Sequence, residues 1–213
     1  MLTFITSSAD GKWLFTSGFD KILSVIDRQS NSIHLQVPLQ SFARCCYMKG
    51  NMLFIGGFKF ILVFDCAKLT IIKTIDASNS ITKIVAINDD HLLCGGNMIL
   101  MVLRVSDFTV IVKEDTQSVI LDIVRVNKEN EFALTTITGI EFIKIEAATL
   151  AIQRLPLKLN STVSRINKIR DNLLLISQGK DLFTYDTLNE NKLSQCNNSS
   201  FVRSIKRLEQ SDN

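Results

Sequence analysis

Along this chain, apolar and β-branched residues gather in short runs, each closed on both sides by residues that favour turns. One stretch reads Phe42 to Met48, a Lys-Gly-Asn turn, Met52 to Ile55, a Gly-Gly turn, Phe60 to Phe64, an Asp-Cys-Ala-Lys turn, and Leu69 to Ile75. The next gives Ile81 to Ile87, His91 to Cys94, Met98 to Val105 and Phe108 to Lys113, with Asn-Asp-Asp and Gly-Gly-Asn as the first two turns. Runs this short, punctuated by turns, predict strands and not helices.

The third strand of each group ends on a common column: Ile26-Asp27, Phe64-Asp65, Leu103-Arg104, Ile145-Glu146 and Tyr185-Asp186, spaced 38, 39, 42 and 40 residues apart. A period near ~40 with four strands per repeat predicts an all-β fold, a β-propeller of four-stranded antiparallel blades. The blades are expected at about 1–40, 41–79, 80–117, 118–160 and 161–198, with 199–213 as the first strand of a further blade or a C-terminal tail. A seven-bladed ring would need about ~280 residues. The expectation is therefore a fragment of a larger propeller; the alternatives are a ring completed by another chain, or an open or strained small ring. An unclosed ring would leave strand edges that template pairing with other chains.

"SGFDKILSVID", Ser17 to Asp27, resembles the third-strand signature of WD-repeat β-propellers, with Asp20, Leu23 and Asp27 at the family's spacing. "SADGK", Ser8 to Lys12, resembles that family's Ser-Pro-Asp-Gly turn. The departures are large: Ile26, Phe64, Leu103, Ile145 and Tyr185 hold the tryptophan column. Phe58, Asn97, Gly139 and Gly179 replace the aspartate kept as Asp20, and no Gly-His pair opens a blade. The family's buried His-Ser-Asp-Trp network is expected to be missing, leaving blades held by apolar packing.

With 213 residues, 46% hydrophobic and 21% charged, the chain can bury a substantial core. A net charge of +3 lacks the dense basic stripe that nucleic-acid phosphates require. The start, "MLTFITSSADGKW", has no signal-peptide pattern, and the longest apolar run, Met98 to Leu103, is far short of a membrane helix. Five irregularly spaced cysteines suit reduced thiols, so the expected location is cytoplasmic.

Chemistry-bearing motifs are sparse. "NDDHLLCGG", Asn88 to Gly96, holds two carboxylates, a His and a Cys, but Asp89 and Asp90 suit a hairpin turn, and His34 is the only other histidine. Cys45-Cys46 lacks redox spacing, Trp13 reads as core, and Pro156 marks a strand edge or end. No nucleophile elbow, phosphate loop or zinc-protease motif occurs, so no catalytic residue, metal or cofactor is expected.

The most informative column opens each blade, where an apolar residue precedes a charge by two positions: Phe42/Arg44, Ile81/Lys83, Ile120/Asp122, Val163/Arg165 and Phe201/Arg203. The family resemblance implies that this end of the innermost strand lines the mouth of a central channel and meets ligands. Arg44, Lys83, Asp122, Arg165 and Arg203 are thus the expected partner-binding residues, suited to an acidic peptide. The leading expectation is a non-catalytic protein–protein interaction scaffold. A phosphoinositide-binding propeller is a second reading, although "SFARCC" and "SFVRS" lack paired arginines. A third is an obligate subunit pairing through an open C-terminal edge, Phe201 to Leu208.

Overall fold

The computed structural model describes residues 1–159, 165–178 and 180–197. Five four-stranded antiparallel sheets account for all its regular structure, each a meander in chain order. Sheet 1 comprises β1 (Leu2–Ser7), β2 (Trp13–Gly18), β3 (Ile22–Asp27) and β4 (Ser32–Pro38). Sheet 2 comprises β5 (Ala43–Lys49), β6 (Met52–Gly57), β7 (Phe60–Asp65) and β8 (Thr70–Asp76). Sheet 3 comprises β9 (Ile81–Ala86), β10 (His91–Gly96), β11 (Ile99–Arg104) and β12 (Val110–Asp115). Sheet 4 comprises β13 (Ile120–Arg125), β14 (Glu131–Thr136), β15 (Gly139–Ile145) and β16 (Ile152–Leu159). Sheet 5 comprises β17 (Arg165–Arg170), β18 (Leu173–Gln178), β19 (Asp181–Asp186) and β20 (Asn191–Asn197).

The chain divides into two compact units, Met1–Thr116 with sheets 1 to 3 and Gln117–Asn213 with sheets 4 and 5. Within the first unit, β1 packs beside β5 and β5 beside β9. Within the second, β13 packs beside β17. Equivalent first strands are therefore neighbours, as in a propeller-like arrangement.

Packing explains the apolar runs. One face of sheet 2, with Leu53, Ile55, Leu62 and Phe64, meets Trp13, Phe15, Leu23 and Val25 of sheet 1. Its other face, with Phe54, Ile61 and Val63, meets Leu92, Cys94, Met101 and Leu103 of sheet 3. A sheet covered on both sides loses the polar alternation of a one-sided strand. In the second unit, Ala133, Ile140 and Phe142 of sheet 4 meet Leu174, Ile176, Phe183 and Tyr185 of sheet 5.

The glycine pairs expected to form turns are strand residues. Gly56-Gly57 and Gly95-Gly96 end β6 and β10, and the turns are the two-residue loops Phe58-Lys59 and Asn97-Met98. Glycine is needed there for close approach. A Cβ on Gly56 would lie 2.6 Å from Cys45 Sγ and 2.7 Å from Ile81 Cγ2, and one on Gly96 would lie 1.8 Å from Ser80 O. Met98 accordingly belongs to a turn, and β12 starts at Val110, two residues later than the apolar pattern suggests.

The recurring aspartate after the third strand caps the turn that follows. Asp27 Oδ1 accepts the N–H groups of Gln29 and Ser30, at 2.7 and 3.1 Å, and Asp65 Oδ1 accepts those of Ala67 and Lys68, at 2.9 and 3.0 Å. Asp186 Oδ1 does the same for Leu188 and Asn189. Where Arg104 takes this place, Asp90 reaches over from the preceding turn to accept Ser106 N–H at 2.8 Å and Ser106 Oγ–H at 3.1 Å. The column is thus maintained by turn chemistry.

Candidate functional site

The first strands of sheets 1 to 4 each begin with a β-bulge, and the bulge resets the charge column; in sheet 5 the irregularity falls at the other end of β17, between Lys168 and Arg170. Ala43 pairs with Gly57 and Cys45 with Gly56, leaving Arg44 as the extra residue. In sheet 3, Ile81 pairs with Gly96 and Lys83 with Gly95, so the extra residue is Thr82. In sheet 4 it is Leu121, between Ile120 and Asp122, and in sheet 1 it is Thr3. Lys83 and Asp122 are therefore level with Cys45, and Arg44 is one residue out of register with them. The constant sequence step of 39 hides this shift, because Arg44 and Lys83 start from different pairing positions.

The bulge residues behave differently from sheet to sheet. Thr82 Oγ donates to Gly95 O at 3.1 Å, and Thr3 Oγ lies 3.0 Å from Ser17 O and from Ala43 O. These hydroxyls fold back onto the backbone. Arg44 is exposed and turns outward, its guanidinium 5.2 Å from the ring centre of Phe42. A bulge commonly re-aims a side chain in this way.

The other expected residues are distributed as follows. Lys83 is half-buried in β9. Asp122 is buried at 8% exposure, its Oδ1 accepting the Ile123 N–H at 2.9 Å, so it does not present its carboxylate as Arg44 presents its guanidinium. Arg165 opens β17 opposite Ser177, which makes it level with Lys83 and Asp122. Arg203 lies outside the described residues. Burial pushes the thiols of Cys45 and Cys46 up to about 12, so the groups next to Arg44 stay protonated and poorly nucleophilic at neutral pH.

An aromatic cluster beside Arg44 was not foreseen. Phe42 stacks between Phe19 and Phe58, with ring centres 5.1 and 5.6 Å apart. Phe19 and Phe58 sit in the β2–β3 and β6–β7 turns and stay 44% and 43% exposed. Lys59 Nζ lies 5.5 Å from the Phe58 ring centre. The sequence signal for it is the Phe that follows glycine in "SGF" and "GGF", but neither stretch by itself points to the other. At the matching turn of sheet 3 stands Asn97, whose side chain donates to Asn79 Oδ1.

A hollow of about 670 Å³ lies at the far end of β17 from Arg165, lined by Lys168, Arg170, Asn172, Leu173, Asp186 and Leu188. Lys168 is ion-paired with Asp171 there. Among the described residues, no helix is long and apolar enough to cross a membrane. Compared with protein-family models and with curated proteins, the chain matches none.

Proposed function

We propose that this chain is a divergent, WD-repeat-like propeller segment that acts as a non-catalytic protein-interaction scaffold, engaging its partner at the end where the first strands begin. The observation that carries this reading is the placement of Arg44 and Lys83 on β5 and β9, which pack side by side and start at the same end. A rigid frame of stacked sheets holds those cations without needing them for its core, and a rigid scaffold with variable end residues is a common basis for recognition. Arg165 and Arg203 extend the same proposal along the chain, and an acidic peptide is the matching partner class.

The test is affinity capture with quantitative mass spectrometry. Wild type is compared with a variant carrying Arg44→Glu, Lys83→Glu, Arg165→Glu and Arg203→Glu, both shown folded by circular dichroism. The expected outcome is loss of a discrete set of proteins from the variant. An unchanged set would sink the reading.

A further inference from the structure

We infer that Phe19, Phe42 and Phe58, with Arg44 and Lys59, form a docking site for a short peptide segment in which an acidic residue adjoins a large apolar one. This rests on the reading above and narrows it to one place, the seam between sheets 1 and 2. The first ground is that the aromatic residues are not required by the turns that carry them. The β10–β11 turn has the same two-residue length as the β6–β7 turn and the same link to the residue before the first strand. Phe58 N–H donates to Phe42 O at 3.2 Å, and Asn97 N–H to Ser80 O at 2.8 Å. The polar pair Ser80 and Asn97 thus serves the geometry that Phe42 and Phe58 serve in sheet 2. Two exposed rings, Phe19 and Phe58, stacked on either side of the half-buried Phe42, mark an interaction surface when the fold does not need them.

The second ground is charge. Among the described residues neither Arg44 nor Lys59 has an ion-pair partner, and each cation rests against a ring of the cluster. A carboxylate brought to this seam would find a guanidinium and an ammonium beside an apolar surface, where charge-assisted hydrogen bonds are stronger than in open water. The apolar neighbour in the peptide would cover the exposed parts of Phe19 and Phe58. A peptide fits better than an anionic bilayer, because a flat membrane reaching these turns would also meet Asp20, next to Phe19, and Asp76, which ends β8 opposite Phe60.

The experiment selects random peptides displayed on phage against the wild-type chain. Enriched sequences are then synthesised with fluorescein and titrated by anisotropy. The variants are Phe19→Asn/Phe58→Asn, which gives both turns the polar type seen at Asn97, Arg44→Glu, and Lys83→Glu. Thermal melts confirm that each is folded, and a Phe19→Leu/Phe58→Leu pair replaces the Asn pair should that one melt early. The expected result is enrichment of peptides with Asp or Glu beside Leu, Ile or Phe. Their binding should fall about tenfold or more in the Phe19→Asn/Phe58→Asn and Arg44→Glu variants. Peptides that bind the aromatic variant as they bind wild type, but are lost with Lys83→Glu, would overturn the seam site and leave the wider reading standing. Peptides indifferent to every variant, or no enrichment at all, would overturn both. Binding of the chain to phosphatidylcholine vesicles containing phosphatidylserine, lost in the aromatic variant, would assign the rings to a membrane and overturn the peptide site.

Discussion

Sheets 1 and 2 share topology but differ in burial. In sheet 2 every residue from Leu53 to Gly57 and from Phe60 to Phe64 is buried. In sheet 1, Phe15, Leu23 and Val25 are buried while their strand neighbours Leu14, Thr16, Ile22, Ser24 and Ile26 are only half-buried. Those neighbours share a face with Leu2, Ile5 and Ile33, exposed at 60%, 59% and 60%. The sequence reflects the contrast: "MLFIGG" and "FILVFD" run without interruption, whereas "WLFTSG" and "ILSVID" admit Thr and Ser. The same repeat can thus be written for one covered face or for two, and the inserted hydroxyls reveal which.

The contrast is tested most severely by truncation. Phe54→Ala in sheet 2 removes a fully buried ring and is expected to cost about 3–5 kcal/mol, read as a drop in urea midpoint. Ile5→Ala on the uncovered face of sheet 1 should cost about 1 kcal/mol or less. Equal losses would show that the two faces are equally covered in solution.

A smaller effect concerns a size exchange between the sheets. Gly56 in sheet 2 is matched by Ser17 in sheet 1, and Ile81, the residue that a Gly56 side chain would strike, is matched by Ala43. Gly56→Ser is therefore expected to cost about 1–3 kcal/mol by overpacking. Adding Ile81→Ala should return part of that loss, a non-additivity measurable in a double-mutant cycle. Simple additivity of the two costs would break the correspondence.

The smallest effect should be the same in both sheets. Asp27 and Asp65 are held below the usual carboxylate range, Asp27 chiefly by the Ser30 N–H and Asp65 chiefly by the Lys68 N–H. A carboxyl whose folded pKa is depressed contributes stability above the unfolded value near 3.8, and that contribution is lost as pH falls through the lower folded value. Melting temperature should therefore decline as pH drops below about 4. Asp27→Asn and Asp65→Asn should each flatten that decline slightly and to a similar extent, as thermal melts between acid and neutral pH would record.

The four-strand repeat was legible because apolar runs and turn residues are local signals. The glycine pairs misled because the demand for glycine comes from a neighbouring first strand, with Ile81 and Ser80 distant in sequence from the glycines they approach. The register of Arg44 was hidden for a related reason: a bulge moves pairing by one residue without changing the apolar rhythm around it. The cluster of Phe19, Phe42 and Phe58 joins positions in two repeats, and nothing in either repeat alone announces the other. What the pattern did convey about Asp27, Asp65 and Asp186 was their recurrence; their role as turn caps emerged from the hydrogen bonds.

The turns that carry Phe19 and Phe58 are each tied to the residue preceding a first strand, Phe19 N–H to Met1 O at 3.0 Å and Phe58 N–H to Phe42 O at 3.2 Å. A surface turn held in this way loses little backbone freedom when something settles on it. Preorganisation of that kind lowers the entropic penalty of association, so these amides should also exchange with deuterium more slowly than their position at the tip of a hairpin would suggest.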